Sequence, residues 1–202
     1  AIARGYLVKT QAGEPYLMPA GGFDAYLMDL SNPEAFEWLK GIIKTNLIGN
    51  GFSGWMADFC EWLPWDAKIY SGEPASAFHN RYPVEWARLN REAIKEPGKE
   101  GEVMFFTRAG YTGSAKYSTM FWAGDQLHTY GPNDGMRSAI TALLSSGLSG
   151  ISLNHSDAGG YTTVKTPFYK SRRDWDLFCR WNDWAIFTPV FRTHEGLRPK
   201  EW

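Results

Sequence analysis

The chain has 202 residues, 44% of them hydrophobic and 21% charged, with a formal net charge of −1. That is enough apolar sequence for a sizeable core within one globular domain. Scattered Lys and Arg argue against a nucleic-acid partner, and no apolar run reaches the ~20 residues of a membrane helix.

The N-terminal stretch AIARGYLVKT has no starting Met and no apolar leader core, so it reads as the interior of a longer protein. The spacing predicts a first strand at 25–28, ending at Asp29. Ser31-Asn32-Pro33 then reads as cap plus first-turn proline, opening a helix with Ala35, Leu39, Ile42 and Ile43 on one face. Gly49 and Gly51 break the chain before a strand at 52–57. The aromatic segment 59–80 is too irregular for one element. Pro83 opens a helix over 84–94, and a Pro-Gly loop precedes a strand at 103–107. A strand follows at 119–123. Asp134 is expected to cap a helix over 135–146, with Gly147 ending it. A strand at 150–153 and a helix at 171–186, with Trp175, Phe178, Trp181 and Ala185 on one side, complete the pattern.

Strand, helix, strand at this spacing implies parallel strands joined by crossover helices. The strands are almost continuously apolar, as strands buried on both faces are. Polar residues gather past their C-terminal ends: Asp29, Asp58, Arg108, Asp125, His155 and Asp157. Both barrels and doubly wound sheets bind ligands at that rim, but no Gly-rich phosphate loop follows any strand. The expected fold is α/β, part of a (β/α)8 TIM barrel lacking its first strands: about five strands are legible, and a full barrel takes ~250 residues. Residues 1–202 are thus expected to form the C-terminal portion of a catalytic barrel, with the upstream part as its partner. A barrel short of strands leaves open edges, so the isolated segment is expected to be poorly stable.

Two strand ends carry carboxylates among aromatics: Asp58 in GFSGWMADFCEWLP and Asp125 in STMFWAGDQ. A turn-capping role is the plain alternative for each. A carboxylate is costly to bury without a partner or a task, and a pair on separate strands suits glycoside cleavage: one nucleophile, one acid. Trp122 beside Asp125 favours a protonated carboxyl there. Arg108 follows an apolar strand, either as a rim salt bridge or as a fixed fork for sugar hydroxyls or an anionic group. His155, Asp157 and Tyr161 cluster in LNHSDAGGY. The four histidines form no H-x-x-x-H pair, Cys60 and Cys179 form no C-x-x-C, and G-x-S-x-G is absent, so no metal or other cofactor is expected. Two cysteines build no disulfide framework. Reduced, buried thiols in a cytoplasmic setting are expected.

The ordered blocks GWMADFCEWLP, HNRYPVEW, FFTRAGYTGSAKYSTMFWAGDQ, HSDAGGY and FTPVFRTHEGLRP resemble those of glycoside hydrolase family 31, most nearly its sulfoquinovosidase branch. The resemblance implies a retaining α-glycosidase on a (β/α)8 barrel. It implies Asp58 as nucleophile, Asp125 as acid/base, and Tyr161 and His194 as glycone contacts, with Arg108, Trp122, His155 and Asp157 in the pocket-lining blocks. Family α-glucosidases read D-M-N-E at the nucleophile. Here Asp58-Phe59-Cys60-Glu61 favours the sulfosugar branch, with Cys60 where a small residue such as glycine is expected. The Arg and Trp that recognise the sulfonate in that branch lie upstream of the matched blocks. The expected reaction is release of sulfoquinovose from sulfoquinovosyl glycerol or a related glycolipid. An α-glucosidase or α-xylosidase of the same family is the alternative, and a non-catalytic carbohydrate-binding fragment the alternative from another class. Retention would place the two carboxyl groups about 5–5.5 Å apart.

Overall fold

A computed structural model describes all residues except 21–22, 165, 168–169 and 195–202. The chain divides into two compact units, Ala1–Ser118 and Thr119–Trp202. Each unit gathers its own apolar cluster and contains a strand–helix–strand crossover.

In the first unit, β1 (Leu17–Pro19) and β2 (Asp24–Tyr26) form an antiparallel hairpin. The strand expected at 25–28 is therefore a hairpin arm and not a member of a parallel sheet. Its terminal residue, Asp29, is no rim group either. It is buried and anchors a turn, accepting from the Ser31 amide at 3.0 Å, the Ser31 hydroxyl at 2.6 Å and the Tyr70 amide at 2.7 Å. Helix α1 (Pro33–Asn46) starts as its sequence predicts. The Asn32 side chain accepts from the Glu34 amide, and proline occupies the first turn, where its missing N–H costs nothing.

β3 (Gly54–Met56), the short α2 (Ala75–Phe78), α3 (Tyr82–Lys95) and β4 (Met104–Thr107) follow. β3 and β4 run parallel with Met56 opposite Phe106, and the Ala57 amide extends the pairing to the Phe106 carbonyl at 2.8 Å. Helix α3 fastens β3 in place: Trp55 Nε1 donates to Asn90 Oδ1 at 2.8 Å, and Trp86 Nε1 to the Ala57 carbonyl at 3.2 Å. Its other side packs on α1, where buried Lys40 meets Glu37, Glu92 and Glu96 at 2.8, 3.2 and 2.5 Å. Burial opposes the charge of Lys40, but the three carboxylates outweigh it and raise its pKa. Val8, Leu30, Phe36, Leu63, Phe78, Tyr82 and Leu89 fill the main core.

In the second unit, β5 (Met120–Trp122), α4 (Met136–Leu148) and β6 (Asn154–His155) form the crossover, and α5 (Trp175–Ala185) follows. β5 and β6 are parallel, with Trp122 opposite His155. The last strand begins beyond the predicted 150–153, because residues 150–153 serve as the turn out of α4. Asp134 does not cap α4. The cap is Gly135, and Asp134 Oδ1 instead accepts from the Leu127 amide at 2.8 Å. Asp174 caps α5 by accepting from the Leu177 amide at 2.8 Å. The buried face of α5 is Leu177, Trp181 and Ala185. Trp175, expected on that side, lies two residues before Leu177, about 200° round the helix, and is 77% exposed.

Candidate active site

Parallel register explains why the polar groups of the first unit converge. Met56 and Phe106 are paired, so Asp58 and Arg108, each two residues further on, leave the same end of the sheet side by side. Arg108 Nε lies 3.2 Å from Asp58 Oδ1 and 3.0 Å from Glu61 Oε1, and its Nη2 lies 2.7 Å from that same Glu61 oxygen. Arg108 thus forms the rim salt bridge of its plain sequence reading, beside the candidate nucleophile. Glu61 was not among the expected site residues. The signal for it was present: a carboxylate three residues after Asp58 and an arginine at the next strand end. Glu61 Oε2 is buried and has no hydrogen-bond partner among the described residues.

The backbone beyond Asp58 is strained. Phe59 and Cys60 take φ of 61° and 74°, the left-handed region that favours glycine. Each costs on the order of 1–3 kcal/mol, which the surroundings must offset. The expectation of a small residue at 60 now has its physical reason. The strain is held by the Phe59 amide donating to Asp58 Oδ1 at 2.7 Å, by the Arg108 guanidinium 4.8 Å from the Phe59 ring centre, and by burial of Cys60. Burial, helped by the Glu61 and Asp58 charges, pushes the Cys60 thiol well up, and it stays protonated. Asp58 itself remains reachable, its side chain 27% exposed.

In the second unit the polar groups at the ends of β5 and β6 converge for the same reason. Trp122 Nε1 donates to Asp157 Oδ2 at 3.1 Å, and Arg192 Nη2 forms an ion pair with Asp157 Oδ1 at 2.8 Å. Arg192 also lies 5.8 Å from the Trp122 ring centre, and its carbonyl accepts from the Ala158 amide. Burial raises the Asp157 pKa, against the opposing charges of Arg192 and His194 and the donors Trp122 and Arg192. His155 is fully buried. Burial first, then the Arg192 charge, lowers its pKa to about 4, so its imidazole is neutral near pH 7. Tyr161 and His194 stack with ring centres 4.5 Å apart and planes at 18°.

Asp125 is exposed, one residue past Gly124, and its carbonyl accepts from the Thr162 hydroxyl at 3.3 Å. The adjoining loop is built around glycines. Gly159 and Gly160 have φ of 83° and 82°. A Cβ on Gly159 would meet Arg173 Cδ at 2.8 Å, and one on Gly160 would meet the Leu127 carbonyl at 2.9 Å. Arg173, also missed in the sequence, is buried and donates to the carbonyls of Gly159, Gly160 and His194 at 3.2, 2.6 and 3.0 Å. It ties the glycine loop to the segment that carries His194. Arg173 and Arg192 gave no local signal, because their partners lie far off in sequence.

Seven of the eight expected site residues fall into three groups: Asp58 with Arg108; Trp122 and Asp157 beside His155; and Tyr161 with His194. Among the described residues no three His, Cys, Asp or Glu side chains gather as a metal site would require, and no helix is long and apolar enough to cross a membrane. Both cysteines are free; Cys60 is buried, whereas Cys179 is half-buried, short of the burial expected for it.

Comparison with known proteins gives the family. The model of the glycosyl hydrolases family 31 TIM-barrel domain matches residues 1–201, which bears out the barrel fold. The sulfoquinovosidase of Escherichia coli (strain K12) is 49% identical over 199 residues, 98% of this chain and 29% of that protein. The sulfoquinovosidase of Agrobacterium fabrum is 42% identical over 202 residues, 100% of this chain and 30% of that one. A solved family 31 sulfoquinovosidase from E. rectale, in complex with an aza-sugar inhibitor, matches with a TM-score of 0.92 at 48% identity, over 98% of this chain and 29% of its own. This chain thus spans under a third of the length of these relatives.

Proposed function

This chain belongs to glycosyl hydrolase family 31, and from that premise we propose that it carries the catalytic centre of a retaining α-glycosidase acting on α-sulfoquinovosides. The observation that carries the reading is the Asp58 carboxylate. It is partly exposed at a parallel strand end and oriented by Arg108 and the Phe59 amide, both on Oδ1. Two donors on one oxygen direct the other, Oδ2, to the anomeric carbon.

Asp58 attacks C1 from the face opposite the leaving group while Asp125 protonates the glycosidic oxygen. The C1–O bond to the aglycone breaks, and a covalent glycosyl-enzyme forms. Asp125 then takes a proton from water, whose oxygen displaces Asp58 and releases the sugar with its α configuration. Exposure of Asp125 suits a group that must exchange protons with solvent. Trp122, His155 and Asp157 shape the glycone pocket, with Arg192 fixing the Asp157 carboxylate. Arg108, Tyr161 and His194 meet sugar hydroxyls. The free cysteines suit a reducing compartment, and the cytoplasm is the proposed setting.

The identity to two sulfoquinovosidases, 49% and 42%, supports the sulfosugar over a plain glucoside. The test compares kcat/KM of the full-length protein for matched aryl α-sulfoquinovoside and aryl α-glucoside. Preference for the sulfoquinovoside by at least about 100-fold, near 3 kcal/mol of transition-state discrimination, is expected. Equal rates would move the assignment to the glucosidase members.

A further inference from the structure

Three exposed aromatic rings, one of them the residue after Asp58 and the other two packed against it, take no part in the chemistry above. Phe23, at the start of the β2 arm, is 58% exposed, Phe59 36% and Trp62 37%. They form a continuous ridge. Phe23 and Phe59 meet edge to face with centres 6.3 Å apart, and Phe59 and Trp62 lie 5.3 Å apart. The middle ring is held by its left-handed backbone and by Arg108. Arg108 also contacts Asp58, so ridge and carboxylate share one anchor.

We propose that this ridge is the platform for an apolar aglycone, an alkyl or aryl group attached through the scissile oxygen; the proposal rests on the glycosidase reading above. A glycone brings several hydroxyls, each needing a partner once water is excluded. The three side chains of the ridge offer a single polar group, the Trp62 indole N–H, so they suit a ligand poor in hydroxyls. Position fits as well. Phe59 follows Asp58 directly, so the ridge starts at the edge of the reacting centre, and a chain departing from the face opposite Asp58 meets it where it turns along the surface. The Arg108 guanidinium, 4.8 Å from this ring and 3.2 Å from Asp58, links the two.

The test measures Kd by calorimetry for methyl and octyl α-sulfoquinovoside, using the full-length protein in an Asp58→Asn background to prevent turnover. The octyl glycoside is expected to bind about tenfold or more tightly than the methyl, as burial of about two methylenes would give. Trp62→Ala removes most of that preference and leaves the methyl Kd within about twofold; Phe23→Ala removes a smaller part, and Trp62→Phe restores some of it. Equal or undetectable affinity for the two glycosides in the parent overturns the platform. So does equal weakening of both by Trp62→Ala, which marks the ridge as a packing surface. A Trp62-dependent octyl preference in a protein whose Asp58 form hydrolyses neither glycoside sustains the platform and defeats the glycosidase reading instead.

Discussion

Asp58 and Asp157 both follow short parallel strands, and both are bonded to an arginine, yet their surroundings differ in kind. Asp58 has a 27% exposed side chain, sits on a strained backbone and shares its arginine with Glu61. The Asp157 side chain is fully buried, with an indole N–H on one oxygen and a guanidinium on the other. A carboxylate that forms a bond to substrate needs one oxygen left to react and a route for the substrate to reach it. One that holds a pocket in shape is fixed by partners on both oxygens. The comparison teaches that strand-end position alone does not single out a candidate nucleophile; which oxygens are already engaged is the further criterion.

The largest expected effect would break this comparison outright. Asp58→Asn should lower kcat by about 10⁴-fold or more. Asp125→Asn should retain turnover of aryl glycosides with good leaving groups, whose departure needs no proton. Steady-state rates on a leaving-group series would settle both, and near-normal turnover by Asp58→Asn would remove it as nucleophile.

A second, smaller effect sharpens the role of Asp157. Arg192→Met leaves a buried carboxylate without its charge partner, which costs roughly 3–5 kcal/mol of stability. Adding Asp157→Asn removes that charge and should recover much of the loss. Urea unfolding of the single and double variants measures the coupling. Additive losses would mean the pair contributes nothing as a pair.

The smallest effect is a pH dependence beside Asp157. The folded pKa of His155 is about 4 against 6.5 for the free group. Between those values the unfolded chain binds the extra proton, so stability is lost as pH falls from about 6.5 toward 4. The loss approaches roughly 2–3 kcal/mol at the acid end. Unfolding curves at pH 7 and 4.5 for the parent and His155→Gln should diverge in that sense. Parallel curves would place the imidazole in a wetter setting than its burial implies.

Much of this was legible in the residues themselves. Periodicity and punctuation set the order of α1, β3, α3, β4, β5 and α5 within a few residues, and the Asn32-Pro33 cap was read correctly. Other readings failed for one shared reason, since a local string does not say what a residue pairs with. A run at 25–28 looks like a barrel strand until Leu17–Pro19 pairs with it. Asp29 looks like a rim carboxylate until the Tyr70 amide reaches it, and Asp134 like a helix cap until Leu127 does.

What the sequence determined by itself was the alternation of strands and helices and the presence of carboxylates at strand ends. Both are set by spacing along the chain, where side-chain periodicity is a local property. What the tertiary structure decided was which of those groups meet. Arg108 bonds Glu61 across 47 residues, and Trp122 bonds Asp157 across 35. Those contacts follow from parallel register, which brings distant strand ends to the same edge and is written in no single segment.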